Sequence, residues 1–490
     1  MNKEKESFYI DNITWNDLDM DRVAALIDHS GSSVGREYIY SSLHNLCLDG
    51  ELIKDRDSRA DYFSENGKDL SRLEKIFKDL GFTKKVSFYD YIFRLKELKP
   101  RSNALHFILI LLLLAAIALL FVLPVAGIIA LVVIIAVNII VYFRVKAEIE
   151  GYFQCLKYLV SMVNAAGRIN RLDVMKADEF SKIHDDLSAS VKSFSGLKRG
   201  AWLLTNSVSG SLVDVILDYV RMITHIDLIK FNLMRKEALS KEDEIRQLYN
   251  ALGETELATS LFKFRKSLKA YCKPEFSGAG LCVKGLYHPL ITDPVSNDID
   301  IKGSVLLTGS NASGKSTFLK SLAINQMLAQ TIYTCMAQEC RTGYFKVLSS
   351  MALKDNLQDN ESYFVVEIKS LKRIFDELGD VPLLCFIDEV LRGTNTAERI
   401  AASSEILKSL SKSNAIIFAA THDIELTNIL KDYMNNYHFS EQVDGEQITF
   451  DYKLKEGSAD SRNAIKLLKA YGFDTDIVVN AEKIADEYTT

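Results

Sequence analysis

The pattern of apolar and polar positions divides this 490-residue chain into four stretches. In residues 1–105, apolar residues recur at helical spacing. Leu18, Val23 and Leu26 do so within Asp17–His29, and Leu70, Leu73, Ile76 and Leu80 within Asp69–Leu80. Residues 145–272 read the same way, with Tyr152, Leu156, Leu159 and Val160 on one face and Leu212, Val215, Ile216 and Tyr219 on another. From residue 273 the pattern changes. Short apolar runs (Ser304–Thr308, Leu383–Ile387, Ala415–Ala420) alternate with helical ones (Ser316–Leu328, Ala397–Leu410). Buried strands alternating with helices predict an α/β domain over 273–490, with a parallel-rich sheet flanked by helices.

Between the helical blocks, residues 106–144 are different. Phe107–Phe143 contains no charged residue and no His, and its polar content is essentially Asn138 and Tyr142. One helix of that length would span roughly 55 Å, against a hydrocarbon core of about 30 Å. Leu123-Pro124-Val125-Ala126-Gly127 breaks the run near its middle. Two short transmembrane helices joined by a tight turn are therefore expected, with a re-entrant hairpin that dips in without crossing as the variant, since each helix is near the lower length limit for spanning. Arg94, Lys96, Lys99 and Arg101 before the run, with Arg144 and Lys146 after it, place both flanks in the cytoplasm. About a hundred mostly polar residues come first, which does not fit a signal peptide. The alternative, a hairpin buried in a soluble core, needs protein on every side of it.

Composition adds little. The net charge of −6 shows no basic excess, which argues against tight non-specific binding to nucleic acid. The seven Cys form no CxxC pair, and Cys335 and Cys340 are too far apart for a short metal knuckle. Buried or free thiols in a reducing cytosol are expected.

Three motifs carry chemistry. Gly309-Ser310-Asn311-Ala312-Ser313-Gly314-Lys315-Ser316 fits the phosphate-loop pattern between a strand and a helix. Its glycines let the backbone curl so that several N–H groups face one point, where the helix N-terminus also favours phosphate. Lys315 adds charge for the β- and γ-phosphates, and Ser316 a hydroxyl for Mg²⁺. Phe386-Ile387-Asp388-Glu389 ends an apolar strand with two carboxylates. Asp388 is placed for the Mg²⁺ shell and Glu389 to orient or deprotonate the attacking water. Phe418-Ala419-Ala420-Thr421-His422-Asp423 ends a third strand with a His, placed in the same crevice to sense the γ-phosphate or position the water. Lys315, Glu389 and His422 are thus the candidate catalytic set, with Ser316 and Asp388 as candidate metal ligands.

These segments resemble the MutS family. Thr308–Thr317 is similar to its phosphate loop, Asp388–Thr396 to its acidic strand end and following loop, and Ala420–Thr427 to its ATH…ELT segment. Ser362-Tyr363-Phe364-Val365-Val366-Glu367 resembles its S-x-F-x-x-E signature, and Tyr452–Asp460 its YK…G segment. His288-Pro289 and Asn297 resemble its entry to the nucleotide site. The likeness covers about residues 280–475, and more weakly Ile13–Tyr62.

The resemblance implies an ATPase that uses ATP and Mg²⁺, with Gly309 through Thr317 and His288 around the nucleotide. It implies a homodimer in which Ser362 completes the partner's site. The core-like segment begins near residue 13, so no mismatch-reading domain is expected before it, and the apolar hairpin stands roughly where a DNA-gripping clamp would. Pro294 replaces the family's usual adenine-stacking aromatic, which puts adenine selectivity in doubt. The expectation is a membrane-anchored MutS-like ATPase with its soluble parts in the cytoplasm. Two roles stay open: DNA binding related to mismatch repair, or mechanochemical work on a non-DNA partner. A transporter ATPase would need an LSGGQ-like signature and more membrane helices.

Overall fold

The computed structural model describes residues 7–83, 86–198, 212–278, 280–310, 313–351, 363–392, 394–444, 447–458, 468 and 472–487. The chain forms two compact units, one of residues 1–27, 41–57 and 263–490, the other of residues 28–40 and 58–262.

The first unit is built on a six-stranded sheet. Its order is Gln447–Glu456, Asn435–Asp444, Val305–Thr308, Ala415–Ala420, Leu383–Asp388, Lys346–Ser350. All neighbours are parallel except the first pair. The inner strands are almost continuously apolar because both faces are covered. Val305–Leu307, Leu383–Ile387 and Ile417–Ala420 are essentially without solvent exposure. The helix Lys315–Ile332 is buried along most of its length. Its polar residues survive there because they are paired. Gln326 donates to the Gly343 carbonyl at 3.0 Å, and Gln330 to those of Cys47 and Phe345, both at 3.0 Å. A second sheet, of order Glu275–Phe276, Glu339–Thr342, Leu281–Leu286, Asn297–Ile301, completes the unit.

The open edge of the large sheet is covered by the N-terminal segment. Asp17 accepts from the Ser349 hydroxyl at 2.7 Å and from the Met351 N–H at 2.9 Å, while Thr14 accepts from the Ser349 N–H at 3.1 Å. An exposed edge strand is a pairing hazard, and these two side chains occupy its donors. The same segment departs from the purely helical reading of residues 1–105. Ser7–Tyr9 pairs antiparallel with Asn45–Cys47. The helix expected from Asp17 starts instead at Met20, because Asp19 has a left-handed backbone (φ +52°) that separates Asn12–Asp17 from Met20–Ile27.

The second unit is helical. Its longest element runs unbroken from Pro124 to Ile169, and the inner half packs Phe153, Leu156, Leu159 and Met162 into the core. The outer half folds back against Ala104–Val122. The break is the single residue Leu123, narrower than the Leu123–Gly127 turn read from sequence, since Pro124 begins the next helix. Gly127 is needed for the close approach, because a Cβ there would lie 2.6 Å from the Leu120 backbone nitrogen. These are two helices long and apolar enough to cross a membrane. The 19 residues of the first span about 28 Å. Leu111, Phe121, Val125 and Val132 point away from the protein, whereas a core hairpin would bury them. At its base, Tyr142 and Lys146 both donate to the buried Asp227 carboxylate, at 2.9 and 2.8 Å.

Candidate functional site

The phosphate loop leaves the strand Val305–Thr308 at Gly309, whose φ of +137° suits glycine. A Cβ there would meet the Phe439 carbonyl oxygen at 2.6 Å. Gly314 (φ +106°) turns the chain into the helix that begins at Lys315. The Ser313 hydroxyl donates to the Ser310 carbonyl at 2.8 Å and closes the loop on itself. Lys315 is buried, and its ammonium donates to the Gly309 and Ser310 carbonyls at 2.6 and 2.8 Å. Asn311 and Ala312, and the signature residue Ser362, lie outside the described residues.

The three strand ends meet beside this loop. Ala420 and Asp388 are register partners, and the Thr421 N–H donates to the Leu307 carbonyl at 2.9 Å. The Ser316 hydroxyl donates to Asp388 Oδ2 at 2.5 Å. Two hard oxygen donors in direct contact, one of them anionic, fit Mg²⁺, whose preference is for oxygen.

Glu389 follows with a left-handed backbone (φ +60°) and an N–H that donates to the Ala420 carbonyl at 3.0 Å. A non-glycine residue in that region is strained, and the flanking hydrogen bonds hold it there. The turn aims its carboxylate at His422, with Nε2 to Oε1 at 2.6 Å, while Arg392 pairs with the other oxygen. The His422 hydrogen bond, aided by the Arg392 charge, holds the carboxyl below its ordinary range against an opposing burial effect.

Two further residues steady this corner. Glu367, buried on the helix Tyr363–Asp376, accepts from the Arg392 N–H at 3.2 Å, and burial raises its carboxyl above the ordinary range. Arg399 grips Asp423, next to His422, through Nε and Nη2 at 2.9 and 2.6 Å. Glu389, Arg392, Arg399 and His422 border a cleft of about 200 Å³.

A larger cavity of about 440 Å³ opens over Gly314–Thr317, with His288, Ile291, Pro294, Val295 and Tyr452 around it. Burial, with the Lys320 charge second, pushes His288 down to about 4. Neutral at pH 7, it accepts at Nδ1 from the Leu290 N–H at 3.2 Å. Asn297 accepts from the Leu454 N–H at 2.8 Å and donates to the Tyr452 carbonyl at 3.0 Å, so it ties the strand bearing Tyr452 to the cavity wall.

Lys315, Ser316, Asp388, Glu389 and His422 are thus brought to one place, with His288 and Thr317 on the adjoining cavity. The sequence reading gave no role to Arg399 or Tyr452. Arg399 shows no signal, being one cation on a helix of mixed charge. Tyr452 stands in a quoted segment, and its aromatic ring was the available clue.

The MutS domain V family model matches residues 305–489. The DNA mismatch repair protein MutS of Natronomonas pharaonis is 26% identical over 266 residues, covering 52% of this chain and 31% of that protein. MutS protein homolog 4 of Homo sapiens is 29% identical over 302 residues, covering 54% and 32%. The DNA mismatch repair protein MutS of Pseudothermotoga lettingae is 31% identical over 230 residues, covering 44% and 28%. The matched stretch spans about a third of the length of these relatives. The phosphate loop, the acidic strand end and His422 all lie inside residues 305–489, the stretch of this chain that matches MutS domain V.

Proposed function

We propose that the chain binds and hydrolyses ATP at this site, acts as a homodimer with composite sites, and is attached to a membrane by its apolar hairpin. The observation that carries the reading is the meeting of Ser316 with Asp388 and of Glu389 with His422 at the mouth of the phosphate loop. Lys315 exchanges its loop carbonyls for nucleotide phosphates. Ser316 and Asp388 would hold Mg²⁺, which when bound neutralises phosphate charge. Glu389, kept ionised by its His422 contact, orients the attacking water and accepts its proton. His422 fixes that carboxylate from the side. Glu367 holds the Arg392 backbone, and Arg399 holds Asp423, so the group keeps its geometry without substrate. Ser362 serves the site of the second copy. The hairpin's exposed apolar faces support membrane attachment, and the ATPase part then lies in the cytoplasm, where ATP and Mg²⁺ are available.

The test is Mg²⁺-dependent phosphate release by the full-length protein in lipid nanodiscs. Turnover that disappears with chelator supports the reading, and absence of turnover with folded, nucleotide-bound protein overturns it. A second reading, DNA binding, is favoured by the kinship to DNA mismatch repair proteins. The net charge of −6 weighs against it and toward a non-DNA partner. Titrating duplex DNA at rising salt separates the two, since phosphate-driven binding falls steeply with salt.

A further inference from the structure

Three thiols that the site does not use come together at the far end of the phosphate-loop helix. Cys272 and Cys335 form an isolated antiparallel bridge, each N–H donating to the other's carbonyl at 2.9 Å. Such a hydrogen-bonded pair has its Cα atoms about 5.5 Å apart, inside the roughly 4.4–6.8 Å range that a disulfide spans. Cys335 is fully buried and Cys272 is partly exposed. The Cys335 thiol donates to the Asn325 carbonyl at 3.7 Å, with the Cys272 and Cys340 thiols beside it. The adjacent Cys335 thiol holds the Cys272 thiol below its ordinary range, against the opposing effect of burial. The pair therefore has the two parts a redox couple needs, an accessible nucleophile and a buried resolving thiol beside it.

The position gives the pair something to act on. Cys335 lies three residues beyond Ile332, where the helix that starts at Lys315 ends in a left-handed residue, Tyr333 (φ +52°). Arg265 already clamps this end, donating to the Tyr333 carbonyl and the Thr334 hydroxyl, both at 3.0 Å. Asp57 pairs with Arg265 at 2.7 Å and with Lys273, beside Cys272, at 3.0 Å. A bond between the two sulfurs would make this non-covalent joint a covalent one.

We propose that Cys272 and Cys335 are a redox-active pair, closed to a disulfide by a low-molecular-weight disulfide, that staples the distal end of the phosphate-loop helix to the segment entering the ATPase unit. The Cys272 thiolate attacks one sulfur of the small disulfide, forming a mixed disulfide and releasing one small thiol. Cys335 then loses its proton and attacks the Cys272 sulfur, releasing the second small thiol. The protein loses two electrons and two protons, and the small disulfide gains both. A hydrogen-bonded antiparallel pair is a tight place for this bond, so the staple should be readily reducible.

The test uses full-length protein in detergent, treated with oxidised glutathione, alkylated, digested without reductant and mapped by mass spectrometry. The expected major product is a Cys272–Cys335 cross-linked peptide that dithiothreitol removes. C335S should instead stop at a glutathione adduct on Cys272, and C272S should leave Cys335 unmodified. Cys282, also partly exposed but outside the pair, serves as the internal control. Alkylation at pH 7 should be severalfold faster at Cys272 than at Cys282. The proposal is overturned if Cys272 stays reduced where Cys282 reacts. It is equally overturned if wild type accumulates the Cys272 adduct, or if the linkage joins Cys335 to Cys340. Peptide mapping of C272S and C335S reads the chemistry even if ATP turnover is lost.

Discussion

His422 Nε2 stands 2.6 Å from Glu389 Oε1, so the residue after one strand's end is held by the second residue beyond its neighbour's. The pair supports Glu389 as water-orienting base, with His422 fixing its direction. His422→Ala should lower kcat by about 100-fold, the low end of what a positioned acid–base group contributes, with ATP affinity little changed. Steady-state phosphate release and equilibrium nucleotide binding separate the two effects. A parallel loss of affinity would instead make His422 a binding residue.

Tyr452 flanks the cavity over Gly314–Thr317, as Pro294 does, and is exposed there. If it supplies the flat surface against the base, Tyr452→Ala should weaken ATP binding by roughly tenfold, the size of one aromatic contact, and leave saturated turnover near wild type. Tyr452→Phe should be nearly neutral. Competition among purine and pyrimidine triphosphates reads the same contact, since the alanine variant should discriminate less.

His288 sets a pH dependence. Its value of about 4 lies below the ordinary 6.5, so between these pH values the unfolded chain binds a proton that the folded chain does not. Stability from this group is full above pH 6.5 and is lost as pH falls toward 4. The upper limit is roughly 3 kcal/mol at about 1.4 kcal/mol per pH unit. His288→Asn should flatten the fall in melting temperature across that window and leave the region above pH 7 unchanged. Thermal-shift curves at half-unit pH intervals check it.

The hairpin gives a topological prediction. Ala126, in the first turn of the second apolar helix and next to the break at Leu123, should lie at the end of the hairpin furthest across the bilayer. Ala126→Cys in a cysteine-free background should react with an impermeant thiol reagent added outside intact cells, and Ser64→Cys should react only after lysis. Reaction of both before lysis, or a chain that stays soluble without detergent, contradicts the membrane reading.

Much of the site was legible because each part is local. Strand, glycine turn and helix follow one another from Val305 to Ile332, and Asp388-Glu389 and His422 each end an apolar run. Their convergence follows from parallel pairing alone. Contacts between distant segments were not legible. Nothing in a helical pattern says that Asp17 caps the edge strand around Ser349, over three hundred residues away. The contact of Glu367 with the backbone of Arg392, and the grip of Arg399 on Asp423, depend equally on packing. Asp19 broke a helix without a glycine or proline to announce it, because the left-handed region is open to Asp at modest cost. The pairing of Cys272 with Cys335 was hidden for the same reason, since spacing says nothing about register.

The most direct test of the central claim is ATP turnover by the full-length Glu389→Gln protein, measured beside its ATP affinity. Gln keeps the size and a hydrogen-bonding oxygen but cannot take a proton. The account predicts that binding is retained while turnover falls by at least about 100-fold, the loss expected for a positioned general base. Turnover at the wild-type rate, with binding intact, would remove Glu389 from the chemistry and contradict the assignment of this site.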